Sequence, residues 1–94
     1  MTVTTAIPCC VAEAEHVTAD IRVLKIAPKD GAVFDWRAGQ YASFEFNGRD
    51  PRDFSIANIS AAGLIELHVR RSGSGGVTDA ICDEVSIGDA VAVD

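Results

Sequence analysis

Arg52, Phe54 and Ser55 stand in the stretch PRDFSIAN, an arginine and an aromatic at alternate positions with a serine beside the ring. A guanidinium is always charged and can hold an anion through a pair of parallel hydrogen bonds. A ring can lie against a flat group, and a hydroxyl can donate or accept at a polar edge. A strand that only filled a core would need neither the Arg nor the Ser. Together the side chains suit a ligand with an anionic part, a flat part and a polar rim. Further along, GSGGVT, Gly73 to Thr78, runs into a stretch with helical spacing. A glycine-rich entry to a helix lets main-chain N–H groups approach an anion at the positive end of the helix dipole. Singly, each feature has a plain structural role: Arg52 as a solvated edge residue, Phe54 as core, the glycines as a loop with a cap at Thr78. Their occurrence in one small chain, in this order, points to a ligand.

The elements that must position these residues mostly follow a period of two. Val11 to His16 reads as a first strand, and Ile21 to Ala27 as a second, closed by Pro28, which has no N–H for a ladder. PKDGAVFDWRAG is a loop. Gln40 to Phe46 alternates, with Ala42, Phe44 and Phe46 on one face and Tyr41, Ser43 and Glu45 on the other. Asn47-Gly48 is the strongest hairpin signal in the chain. Arg52 to Ala57 is the fourth strand. SAAG turns the chain into Leu64 to Arg70, where Ile65, Leu67 and Val69 oppose Leu64, Glu66, His68 and Arg70. RSGSGG is a loop. VTDAICDEV favours helix, with Thr78 or Asp79 as cap and Ala80, Ile81 and Val85 on one buried face. Gly88-Asp89 turns into a last strand, Ala90 to Val93. Short strands at even spacing with one late helix predict an antiparallel barrel or sandwich.

Composition bounds the rest. With 94 residues, 48% hydrophobic and 23% charged, the chain is one globular domain with a single core. A net charge of -6 argues against nucleic acid and against anionic membrane surfaces, whose binding runs on Lys and Arg. No apolar run approaches the ~20 residues that span a bilayer, and Met1 to Thr5 carries no signal-peptide pattern. Cys9, Cys10 and Cys82 fit no zinc or iron–sulfur spacing and read as free thiols in a reducing cytoplasm. No metal site is expected. His16 and His68 are the only histidines. His16 reads as solvated, and no side chain is assigned a catalytic acid or base role.

The segments AGQYASFEF, RDFSIAN, IELHVRR, GGVT before a short helix, and VSIGDAV resemble the flavin-binding domain of the ferredoxin–NAD(P) reductase superfamily. The likeness is greatest to reductase components of bacterial oxygenases and runs from about Val11 to Val93. It implies an all-β fold, a six-stranded antiparallel Greek-key barrel with one short capping helix, binding FAD or, in some members, FMN. It assigns Arg52, with Asp53 beside it, to the flavin phosphate, Phe54 to the isoalloxazine ring and Ser55 to the ring edge that receives hydride. Most members carry Tyr where this chain has Phe54. It assigns the backbone of His68, Val69 and Arg70 to the pyrimidine side of the ring. Gly75, Gly76, Val77 and Thr78 fall on the pyrophosphate loop. The parent chemistry it implies takes hydride from NAD(P)H and passes single electrons to an iron–sulfur or oxygenase partner. The nucleotide domain that follows the barrel in relatives is not among residues 1–94, and neither is a four-cysteine ferredoxin module. The chain is therefore expected to be the FAD-binding part of a larger reductase and to lack an NAD(P)H site of its own. A non-enzymatic β-barrel docking module is the alternative. Retention of yellow flavin discriminates the two.

Overall fold

Period-two alternation builds a single antiparallel sheet in the computed structural model, which describes residues 6–29 and 36–94. The strands are β1 (Ile7–His16), β2 (Ile21–Pro28), β3 (Tyr41–Phe46), β4 (Arg52–Ser55), β5 (Asn58–Ile59), β6 (Ile65–Arg70) and β7 (Ala90–Val93), with helix α1 (Val77–Asp83) between the last two. Their order across the sheet is β4-β3-β7-β1-β2-β6-β5. The predicted faces hold where the alternation is strict. Ala42, Phe44 and Phe46 on β3 and Ile65, Leu67 and Val69 on β6 are all buried. They meet Val11, Leu24, Ile26, Val91 and Val93 in one apolar core. Phe46, Asn47, Gly48 and Arg49 form the predicted turn. Asn47 and Gly48 take φ of 50° and 74°, and the Arg49 N–H donates to the Phe46 carbonyl at 2.9 Å.

Some sequence expectations need correction. Strand β1 begins at Ile7 rather than Val11, because Ile7 to Cys10 pairs with β7. Strand β2 runs through Pro28, whose missing donor costs nothing there, since Lys29 N–H makes the next bond, to Pro8 O at 3.0 Å. The loop predicted from Pro28 to Gly39 lies partly outside the described residues, as do Met1 to Thr5.

The larger correction concerns closure. The sheet is a curled half-barrel of seven strands, not a closed barrel of six. Its two edge strands, β4 and β5, are consecutive in the chain and separated only by Ile56 and Ala57. Ile56 stays with the β3 side: its N–H donates to Gln40 O and its carbonyl accepts from Gly39 N–H, both at 2.8 Å. Ala57 N–H donates instead to Glu66 O on β6, at 3.0 Å. The segment read as one strand from Arg52 to Ala57 thus changes partner in its middle, while the Ile56 side chain, 1% exposed, anchors the crossing in the core.

Helix α1 lays Ile81 and Cys82 onto the core, with Val85 buried just beyond its end. Arg22 of β2 fixes that end, its Nη1 donating to the carbonyls of Ile81 and Val85. A cation there complements the negative end of the helix dipole. At the other end neither Thr78 nor Asp79 is the cap. Gly76 holds the N-cap position, without a side-chain hydrogen bond, and both candidates lie inside the first turn.

Candidate functional site

Arg52 opens β4 at the sheet edge and is exposed. Its Nη1 donates to Pro51 O at 3.0 Å, and among the described residues it makes no ion pair. The neighbouring Arg49 pairs with Glu84 at 2.8 Å. A cleft of about 500 Å³ is lined by Arg52 on one side and by Gly75, Gly76 and Val77 on the other. Arg52 stands at one end of the sheet, and the glycine loop follows β6, next to the other end. The partner change at Ile56 and Ala57 brings those ends together. The rest of the charged wall is Arg49 with four acids, Asp50, Asp79, Asp83 and Glu84.

The loop is organised by one buried carboxylate. Asp79, 8% exposed, accepts hydrogen bonds from Ser72 N at 2.7 Å, Gly73 N at 3.0 Å, Gly75 N at 2.6 Å and Ser72 Oγ at 3.1 Å. The amides of Gly75 and Gly73, above all, hold its pKa down to about 2 from the ordinary 3.8, so it is ionised at any working pH. The Gly75 amide is therefore already engaged. The amides of Gly76, Val77 and Thr78 stand at the start of the helix, where main-chain donors have no partner within the helix. Gly75 itself sits at φ +80°, a conformation that disfavours any side chain.

On β4, paired residues share a face with their β3 partners. Phe54 faces with Ala42, and Arg52 with Phe44. Phe54 is half-buried and meets Phe44 edge-on, with ring centroids 6.0 Å apart at 61°. Asp53 and Ser55 point the other way, with Ser43 and Tyr41. Arg52 and Phe54 therefore share one side, and the Ser55 hydroxyl does not join them. On β6, Val69 is buried while His68 and Arg70 are exposed. His68 Nε2 lies 2.9 Å from Glu66 Oε2. Arg71 N–H donates toward β2, to Asp20 O, and Glu66 O accepts on the β5 side. By strand parity the main-chain groups of His68 and Arg70 also point to the β5 side, past the end of that two-residue strand. Sequence reasoning missed Asp79 as an organiser and Arg49 as a lining residue. An acid three residues past the N-cap was the available signal for the first, since acidic or amide side chains there reach back to preceding N–H groups.

A family model described as an oxidoreductase FAD-binding domain matches residues 8–94. The chain belongs to that family. This FAD-binding domain is similar to the reductase component of propane 2-monooxygenase from Rhodococcus jostii, 31% identical over 81 residues and covering 84% of this chain and 22% of the relative. It is similar also to the CDP-6-deoxy-L-threo-D-glycero-4-hexulose-3-dehydrase reductase of Yersinia pseudotuberculosis, 36% identical over 81 residues, covering 85% of this chain and 24% of the relative. Among solved structures it superposes on phthalate dioxygenase reductase with a TM-score of 0.82 and 25% identity, over 96% of this chain and 29% of that one. That protein is described as a modular structure for electron transfer from pyridine nucleotides to a 2Fe-2S centre. The FAD-binding domain thus spans about a quarter of the length of the curated relatives it matches, 22% and 24%.

The cofactor of the family is FAD, and the residues present fit it. The cleft offers a guanidinium that has no carboxylate partner among the described residues and a glycine loop with open space where a Gly75 side chain would stand, and the half-buried Phe54 ring lies on the Arg52 side of the sheet. The four acids of the cleft wall are a feature that opposes a phosphate.

Proposed function

We propose that this domain holds FAD across the cleft, within an NAD(P)H-dependent reductase that delivers electrons to an iron–sulfur or oxygenase partner. The observation that carries this reading is the placement of Arg52 opposite Gly75 to Val77 in one cleft. When bound, FAD accepts two electrons as hydride and releases them singly. Arg52 pairs with the phosphate. The amides of Gly76, Val77 and Thr78 donate to the pyrophosphate, and Gly75 keeps the loop thin enough for close approach. Phe54 lies beside the ring, Ser55 serves through its backbone, and Asp53 sits on the outer face. The open main-chain edge of His68 and Arg70 reads the pyrimidine side, with Val69 holding that strand to the core. NAD(P)H and the electron acceptor are met by parts of the larger reductase beyond these residues. The names of the relatives, reductase components of oxygenase and dehydrase systems, support that division. The three cysteines are free thiols, which suits the cytoplasm. No helix among the described residues is long and apolar enough to cross a membrane.

Reconstitution tests the binding. After incubation with FAD and removal of free flavin, the protein is expected to stay yellow with one flavin per chain, and Arg52→Ala is expected to come off the column colourless. A colourless wild type overturns the reading.

A further inference from the structure

We propose that Arg49 is a second cation for the pyrophosphate, held by Glu84 in the ligand-free domain and released to the ligand when FAD enters. The inference rests on the FAD reading above and adds a residue to it.

The pyrophosphate of FAD carries two negative charges, one on each phosphorus. Against them the described wall of the cleft sets two guanidinium groups, Arg49 and Arg52, among the carboxylates of Asp50, Asp79, Asp83 and Glu84. Two of those carboxylates are occupied within the protein. Asp79 takes the amides of Ser72, Gly73 and Gly75, and Asp83 takes Arg71 at 2.5 Å. Arg52 has no carboxylate partner among the described residues, so it meets one of the two ligand charges. Arg49 is the other cation of the wall, and its Nη2 lies 2.8 Å from Glu84 Oε2. That pair can give way. Both side chains stand in water, with 42% of Arg49 and 59% of Glu84 exposed. Such a pair contributes little, because solvent screens it and ordering two long side chains costs entropy. A released Glu84 carboxylate is simply hydrated. The Glu84 main chain stays in place, its N–H donating to Ala80 O at 2.7 Å. Arg49 follows Gly48 in the turn before β4, in the same hairpin as Arg52, and both line the one cleft. A guanidinium that leaves a hydrated carboxylate for phosphate trades a screened contact for charge-assisted hydrogen bonds in a cleft from which the ligand displaces water. Glu84 thus competes with FAD for Arg49.

The test titrates FAD into the whole chain, by flavin fluorescence and absorbance, for wild type, Glu84→Gln, Arg49→Gln and the double variant. Glu84→Gln keeps the shape and removes the competing charge, and it is expected to tighten FAD about two- to fivefold, the span set by an exposed ion pair. Arg49→Gln is expected to weaken FAD about tenfold, as loss of a charged hydrogen bond to the ligand does. In the double variant the gain from Glu84→Gln is expected to disappear, because no cation is left to release. Plain repulsion between Glu84 and the phosphates predicts the opposite, a gain at least as large without Arg49. Asp50→Asn shows what that looks like, since Asp50 lines the same cleft and makes no ion pair among the described residues. Its gain is expected to persist beside Arg49→Gln. Riboflavin, which has no phosphate, is expected to bind all the variants alike, and equal shifts for riboflavin and FAD would mean that the variants act through the fold and would overturn the assignment. So would a Glu84→Gln protein that binds FAD no tighter than wild type, or a gain that survives in full without Arg49. Failure of FAD to bind the wild type and every variant overturns the FAD reading together with it, whereas FAD binding that ignores Glu84→Gln overturns the Arg49 assignment alone.

Discussion

In the proposed reading Arg52 is the residue on which the phosphate contact turns, because Arg49 has a carboxylate partner and Arg52 has none among the described residues. Lys would keep the charge but lose the planar fork that meets two phosphate oxygens at once. Arg52→Lys is therefore expected to weaken FAD binding by about 1–3 kcal/mol, more than equal charge would suggest. Calorimetric titration checks it, and unchanged affinity would remove Arg52 from the site. At Phe54 the ring is already packed on Phe44 with part of its surface open. A hydroxyl added by Phe54→Tyr changes volume little, so stability should move by less than about 1.5 kcal/mol. FAD affinity should hold or improve, since the resemblance places a Tyr here in most members. Thermal unfolding and FAD titration of the variant decide it. Collapse of the fold would mean that the para edge of Phe54 faces the core rather than the ligand.

The element scale shows what could be read from residue types and what could not. Strands β3 and β6 were legible because every second residue is large and apolar and each strand keeps one face in the core along its length. The turn at Asn47-Gly48 was legible because few other pairs accept positive φ at consecutive positions. The change of partner between Ile56 and Ala57 was not, because both halves stay extended and nothing in the side chains marks which neighbour a backbone amide finds. Asn58–Ile59 was missed for the same reason: two residues are too few to show a period. At the site, Arg52, Phe54 and the glycines stood out by type. The bonds of Asp79 did not, since they depend on how the loop from Ser72 to Gly75 folds back over the helix. The crossing makes its own demand. Ile56 is fully packed where the sheet's two ends meet, so Ile56→Ala should cost about 2–5 kcal/mol in urea unfolding. The same change at half-buried Ile59 should cost clearly less. Equal costs would mean that the crossing carries no special share of the packing.

For the molecule as a whole, these 94 residues hold no Gly-x-Gly-x-x-Gly after a strand, and GSGG is followed by Val-Thr. Loaded with FAD, the isolated chain is expected to be reduced by millimolar NADH more slowly than about 1 per second, below the ordinary range of enzyme turnover. Anaerobic stopped-flow measures it, and faster reduction would place a nucleotide site inside these residues. The seam between β4 and β5 has a further consequence. The sheet's ends meet at a two-residue link anchored by Ile56 and beside the Arg49–Glu84 pair, so FAD bound across the cleft would act as a further clasp between them. A clasp that binds only the closed form raises its stability by mass action, by about 2.7 kcal/mol at a hundredfold excess over Kd. Hydrogen exchange with and without FAD should then show slowing that spreads from the loop to the amides of Ile56 and Ala57, which touch no ligand in this reading. Slowing confined to Gly75 to Thr78 would mean that the half-barrel keeps its shape unaided, and that FAD is a passenger in it rather than its fastening.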